Sequence, residues 1–331
     1  MPNITIYDVA AKATVSIATV SRVLNSPGRV NATTRQRVLV AIDELGFVPR
    51  ADATARARQQ SRRVGVLAPF FTYPSFVQRL RGVAELLDQH NLELVIFDVH
   101  SDSRKNELLH SLPIGRSLDG LVIMSLAMTD EAINRILDHK LAAVLIENNH
   151  PDFSRVTVDN IGGGEKAANY LVGKGHSRLA FVGDRGVPDY VPHTSDQRLS
   201  GFRQELQQRG LDLPPTAIRL ADHGLEEARR CTHDLLDLPE PPTAIFAASD
   251  TQAMGVLKAA KERNVRVPNQ LAVMGFDDLD IADYIGLTTI SQSLEESGRV
   301  AAELLRQRMA DPTRAVQHVT LPLTLQKRET A

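Results

Sequence analysis

The chain has 331 residues, 43% of them hydrophobic and 24% charged, the composition of a folded globular protein with room for a small head and a body of two ordinary domains. No apolar run approaches the roughly 18 residues of a membrane span, and the N-terminus lacks the charged and apolar regions of a secretory leader, so a cytoplasmic protein with no membrane partner is expected. The single cysteine, Cys231, excludes an internal disulfide framework. The net charge of −2 conceals an asymmetry: residues 1–63 carry ten Lys/Arg against four acids, or +6, and the remainder carries −8. A basic head on an acidic body points to a polyanionic partner for the head alone.

Taken in order, the first stretch is Thr5 to Asn25, TIYDVAAKATVSIATVSRVLN. It predicts two short helices separated by a tight turn. Thr5 caps the first, with Asp8 three residues on, and Ser16 caps the second, which runs from Ile17 to Leu24. Val20, Val23 and Leu24 fall on the inner side of that helix. Ala18, Ser21, Arg22 and Asn25 repeat the same spacing on the outer side. This small, polar, cationic face suits close approach to base edges and phosphates in a major groove. After Ser26-Pro27-Gly28, Asn31 caps a third helix with Val38, Ile42 and Leu45 inside and Gly46 at its end. Periodicity alone fits either a helix-turn-helix or any small helical subdomain. The positive charge favours the first.

From Arg50 to Arg63 the composition shifts to alanine and arginine with no large apolar residue, which reads as a solvated linker. Beyond it, apolar runs at 64–68, 92–97, 119–124 and 142–147 alternate with helical stretches near 76–90, 104–110 and 130–139. A second series has strands at 178–183, 243–248, 271–276 and 288–290, with helices at 162–173, 196–209, 224–236 and 251–263. A late helix near 294–308 and one extended stretch, 316–328, complete the chain. Short Val/Ile/Leu strands separated by helices argue for doubly wound parallel sheets in two lobes. No internal sequence repeat is evident.

The segment TIYDVAAKATVSIATVSRVLN, followed by VNATTRQRVLVAIDELGFVP, resembles the DNA-binding head of the lactose-repressor (LacI/GalR) family of bacterial transcription regulators. The likeness extends over the whole chain, whose body resembles the family's periplasmic-binding-protein-like core. It implies a head at 1–49, a hinge helix at 50–61 and an effector-binding, dimerising core at 62–331. The first lobe would take about 62–160 and 291–321, and the second about 161–290 and 322–331. It also implies a homodimer on a palindromic double-stranded operator, controlled by a small-molecule effector, most simply as a repressor responding to a sugar or sugar derivative. A nucleoside- or purine-responsive regulator and a solute-binding receptor are the alternatives. No enzymatic activity, cofactor or metal is expected.

Carried over from the family, the DNA-contacting set is Thr5, Ser16, Ile17, Ala18, Thr19, Ser21, Arg22, Asn25, Arg29 and Asn31, with Arg56 and Arg58 in the hinge. There the family places a leucine that wedges between bases, and this chain places an arginine in either register. The effector set is Tyr73, Phe76, Ser125, Glu147, Arg198, Ser249, Asp250, Asp277 and Gln292. Carboxylates, one guanidinium and an aromatic wall suit a polyhydroxylated ligand: the acids accept from hydroxyls, the guanidinium donates, and a ring covers an apolar sugar face. The loop 183–197 looks longer than the family's usual form and brings Tyr190 and His193 close to Arg198 in sequence. Gly162 to Gly164 lack the spacing of a phosphate loop, and Asp277-Asp278-Leu279-Asp280 has no His/Cys companions for a metal site.

Overall fold

The computed structural model describes residues 4–25, 27–47, 62–115, 117–185 and 188–331. The hinge at 50–61, with Arg56 and Arg58, lies outside the described residues. The head is three helices: α1 (Ile6–Lys12), α2 (Ile17–Asn25) and α3 (Ala32–Leu45). Their caps are those the sequence indicates. Thr5 donates from its backbone N–H and its hydroxyl to Asp8 Oδ2, at 2.7 and 2.6 Å. Thr19 N–H donates to Ser16 Oγ at 3.2 Å, and Thr34 N–H to Asn31 Oδ1 at 2.8 Å. Gly46, at φ +59°, takes the left-handed conformation that ends α3. Val9, Val20, Val23, Val38 and Ile42 form the buried centre.

The body begins with β1 (Arg63–Ala68), α4 (Pro74–Gln89), β2 (Glu93–Asp98), α5 (Asp102–Gly115), β3 (Gly120–Met124), α6 (Asp130–Asp138), β4 (Ala142–Ile146) and β5 (Ser154–Val158). It continues with α7 (Asn160–Gly173), β6 (Leu179–Asp184), α8 (Thr194–Gln208), β7 (Ile218–Ala221), α9 (Leu225–Leu236), β8 (Ala244–Ala247), α10 (Asp250–Glu262), β9 (Ala272–Asp277), α11 (Asp280–Tyr284) and β10 (Thr288–Ser291). It closes with α12 (Leu294–Ala310), β11 (His318–Leu321) and β12 (Thr324–Gln326).

Two six-stranded sheets result, ordered β11-β5-β4-β3-β1-β2 and β12-β10-β9-β8-β6-β7. Every pairing is parallel except β12, which runs antiparallel to β10. The chain therefore crosses between sheets after β5, after β10 and after β11. Both lobes share one strand order, so the fold repeats where the sequence shows no obvious repeat. In each, the order reverses between the first and third strands, and ligands of such sheets bind outside the carboxyl ends near that reversal. Three elements depart from the sequence reading. β5, next to the edge strand β11, and the edge strand β7 are short and only partly buried, which denies them a continuous apolar run. The stretch 316–328 is split at Pro322, and its halves join different sheets. Among the described residues, no helix is long and apolar enough to cross a membrane.

The head sits on the first lobe. Arg135 of α6 donates two hydrogen bonds to the Asp43 carboxylate of α3, at 2.7 and 2.6 Å, and Arg35 pairs with Glu107 of α5 at 2.8 Å.

Candidate ligand cleft and nucleic-acid interface

The carboxyl ends of the two sheets face each other across a cavity of about 350 Å³. Its wall includes the residues that follow β1, β3 and β4 (Phe70, Ser125, Glu147) and those ending or following β6, β8 and β9 (Asp184, Ser249, Asp277). Phe70, Ser125, Glu147 and Asp277 all have positive φ, at +52°, +48°, +57° and +128°. Such backbone costs on the order of 1–3 kcal/mol per residue, and four cases around one cavity mark a place where geometry has been kept against local preference.

Two buried guanidiniums organise the floor. Arg79 on α4 donates to Ser297 Oγ at 3.3 Å, to Glu147 Oε1 at 2.9 Å and to Gln292 Oε1 at 3.0 Å. Gln292 in turn donates to Asp277 Oδ1 at 2.5 Å, so a hydrogen-bonded chain from Glu147 to Asp277 spans both lobes. Arg198 on α8 donates to Asn160 Oδ1 at 2.9 Å and to the Ala248 carbonyl at 2.6 Å, and lies 3.7 Å above the Phe276 ring. Its Nη1 stands 3.7 Å from Asp277 Oδ1, a charge contact without a hydrogen bond. Arg198 Nη2 and Asp277 Oδ2 take no hydrogen-bond partner among the described residues. Burial lowers the pKa of Arg198 and raises that of Asp277, with Arg198 and Arg79 opposing the latter.

Close helix packing places both arginines. A Cβ on Gly298 of α12 would overlap the Arg79 carbonyl oxygen, and one on Gly82 would overlap that of Glu295. In the second lobe a Cβ on Gly164 would overlap the Arg198 carbonyl, and one on Gly201 that of Ile161. Glycine is what lets these backbones touch. The glycines at 162–164 thus serve packing at the start of α7, where Asp159 caps Gly162 N–H at 2.9 Å.

An aromatic stack bridges the cleft. Phe70 and Tyr73 stack at 5.1 Å between ring centroids, and Tyr73 and His223 of the other lobe at 4.9 Å. His223 Nδ1 and Gln252 Nε2 meet Asp184 Oδ1 at 3.0 and 2.8 Å. Burial pulls the imidazole pKa down, but the hydrogen bond and charge of Asp184, with the charge of Asp277, outweigh it and leave it above the usual histidine value.

The cavity wall brings together Tyr73, Phe76, Ser125, Glu147, Arg198, Ser249, Asp277 and Gln292. Of the expected set, Asp250 alone does not line the cavity. It is fully buried behind the wall, accepting from Leu279 N–H at 2.8 Å and Thr289 Oγ1 at 2.5 Å. Its place at the first turn of α10 turns the carboxylate into the lobe, where it ties β10 to the loop after β9. His193 also stays outside the wall, bonding Asp196 at 3.2 Å, and Tyr190 is buried in the opposite lobe. The acids after Asp277 diverge: Asp278 accepts from Arg328, and Asp280 from Arg81. Wall residues absent from the sequence reading include Phe70, Arg79, Asp184, Asp222 and His223. One signal existed: Arg79-Leu-Arg-Gly82 repeats the Arg-x-x-Gly of Arg198-Leu-Ser-Gly201.

On the head, Ser16, Ile17, Ala18 and Arg22 are exposed along α2, and Thr19, Ser21 and Thr5 are half-buried beside them. Arg29 and Asn31 are exposed at the following turn, and Asn25 ends α2. Tyr7, 67% exposed on α1, is an aromatic that the sequence reading left out. Arg37 donates to the Ala13 and Thr14 carbonyls at 2.6 and 3.1 Å, holding the turn between α1 and α2.

A helix-turn-helix head on a two-lobed, periplasmic-binding-protein-like core is the architecture of a ligand-responsive DNA-binding regulator. Residues 5–50 match the family model of bacterial regulatory proteins of the lacI family, and residues 168–331 that of a periplasmic binding protein-like domain. The chain is 33% identical over 309 residues to the HTH-type transcriptional repressor CytR of Escherichia coli (strain K12), covering 92% of this chain and 89% of that one. Among solved structures, a transcriptional regulator CelR–cellobiose complex matches with a TM-score of 0.71 and 29% identity over 99% of this chain and 100% of that one. A lac repressor dimer bound to operator and the anti-inducer ONPF matches with a TM-score of 0.71 and 26% identity over 99% and 98% of the two chains. The chain belongs to the lacI family and is a DNA-binding transcriptional regulator.

Proposed function

We propose that this regulator is a homodimeric repressor that binds a neutral, polyhydroxylated ring in the cleft between its lobes and reads a palindromic operator with the outer face of α2. The observation that carries the effector reading is a set of polar atoms without a hydrogen-bond partner among the described residues, Arg198 Nη2 and Asp277 Oδ2 with Arg79 Nη1 and Glu147 Oε2, on a cavity wall with an aromatic stack. A carboxylate and a guanidinium with free capacity bind vicinal hydroxyls, and Phe76 with the rims of the aromatic stack offers apolar surface to a sugar ring. The wall's side chains speak against a phosphorylated ligand: Arg79, Arg185 and Arg198 stand among four acids, Glu147, Asp184, Asp222 and Asp277, with no excess of basic groups. The cellobiose bound by the CelR relative supports a sugar. A flat base could extend the stack of Phe70, Tyr73 and His223 at its end, which keeps a nucleoside as the second reading.

A thermal-shift screen of the full chain against neutral sugars, sugar phosphates and nucleosides tests this. A true effector at 100 to 1,000 times its Kd stabilises by about 3–4 kcal/mol. Arg198→Ala and Asp277→Ala abolish that shift and leave DNA binding intact. Arg22→Ala weakens binding to the preferred site by about 1–3 kcal/mol, with less effect on random DNA. A shift confined to sugar phosphates would overturn the neutral-ligand reading. Equal losses on both DNAs would move Arg22 from a base to a phosphate.

A further inference from the structure

We propose that residues 188–193 form a strap by which the second lobe grips the first and, through α5, steadies the DNA-reading head. The strap leaves the second lobe between β6 and α8, yet Tyr190 and Val191 are buried in the first lobe's core, in one cluster with Leu67, Leu108, Leu112 and Leu126. The Ala127 N–H of that lobe donates to the Tyr190 carbonyl at 2.8 Å. Val191 N–H donates to the Pro188 carbonyl at 3.0 Å, closing the turn that presents both side chains. Pro188, Val191 and Pro192 also line the cavity, so one short segment covers the ligand space and holds the facing lobe.

The second half of the route is α5. Its Leu108, Leu109 and Leu112 lie in the cluster that receives Tyr190, whose pKa is raised by burial and then by the charges of Asp98 and of Asp102, the first residue of α5. Its far end reaches the head: Ile114 is 1% exposed within the head's own core, beside Val20, Val23 and Val38. Gly115 lies against the Leu24 carbonyl of α2, where a Cβ would crowd it. Pro113 interrupts the last turn of α5, so the link from the strap's socket to the head rests on packing, with Leu112 and Pro113 buried on one side of the break and Ile114 on the other; close-packed interiors transmit displacement. The link to effector control rests on reading the cleft as the effector site; the contacts from strap to head do not.

Hydrogen exchange of the full chain, with neither ligand nor DNA, tests the coupling. Tyr190→Ala should speed exchange by about threefold or more at the Ala127 amide, along residues 108–115 and in α3, as local opening becomes easier. Tyr190→Phe should behave as wild type, since the phenol oxygen bonds no described residue. Coupling is reciprocal, so Ile114→Ala should speed exchange at Ala127 as well as in the head. Faster exchange confined to 188–193 and Ala127 in Tyr190→Ala, or an unchanged Ala127 in Ile114→Ala, overturns the proposal. If Tyr190→Ala does not fold, Ile114→Ala decides alone. A failed ligand screen would count against the effector reading and leave this result standing.

Discussion

In the first lobe Arg79 sits on α4 with Gly82 one turn further on; in the second, Arg198 sits on α8 with Gly201 one turn further on. Each helix is pressed against a neighbour by a glycine on that neighbour, and each guanidinium is buried at the mouth of its sheet. The difference lies in their partners. Arg79 is closed by Glu147 at 2.9 Å and hydrogen-bonded to Gln292 and Ser297. Arg198 is held by an amide oxygen and a carbonyl, stacks on Phe276, and stands off its nearest carboxylate by 3.7 Å. The same construction therefore yields a hydrogen-bonded ion pair in one lobe and, in the other, a guanidinium and a carboxylate in charge contact without a direct hydrogen bond. Satisfied polar groups rigidify a site, and unsatisfied ones at a cavity are where a ligand's hydroxyls gain most.

The comparison breaks most readily at Glu147. Glu147→Ala removes the carboxylate hydrogen-bonded to a buried guanidinium and should cost about 3–5 kcal/mol of stability, whereas Asp277→Ala should cost clearly less, because Asp277 makes no hydrogen bond to Arg198. Urea unfolding of both variants measures this, and equal losses would mean that the two arginines are equally dependent on their carboxylates. Next come the glycines. Gly298→Val and Gly164→Val each push a side chain into a backbone carbonyl and should cost about 1–3 kcal/mol or more. Wild-type stability in either variant would show that the helix pair there has slack.

A finer test uses acidity. Behind the second lobe's wall, burial and the nearby charge of Asp277 push Asp250 up to about 7, against hydrogen bonds from Thr289 and Leu279. A carboxyl whose folded pKa exceeds its unfolded one binds more protons when folded. Its stabilising contribution is thus full below its ordinary value of 3.8 and is lost as the pH rises through about 7. Asp250→Asn should flatten the dependence of stability on pH across that window. An unchanged slope would mean that Asp250 is ionised in the fold throughout.

Local chemistry determined much of this protein without any help from the fold. Thr5, Ser16 and Asn31 cap the helices they were expected to cap, because a cap and its N–H partner lie within three residues. The buried strands β1, β3, β8 and β9 declare themselves as unbroken apolar runs, whereas the partly exposed strands β5 and β7 carry no such pattern. Only the tertiary structure could decide which polar side chains meet. Arg79, His223 and Asp184 lie far apart in the chain and share a cavity because two sheets present their carboxyl ends to each other. Asp250 looks like a wall residue by position but is turned into the lobe, because Leu279 N–H and Thr289 Oγ1 offer it hydrogen bonds there. Likewise Tyr190, next to the second lobe in sequence, lies in the core of the first, since its apolar ring gains more buried there than exposed in a cleft. Hydrogen-bond partners within a turn are fixed by spacing along the chain; partners across a cleft are fixed only when folding brings the two lobes together.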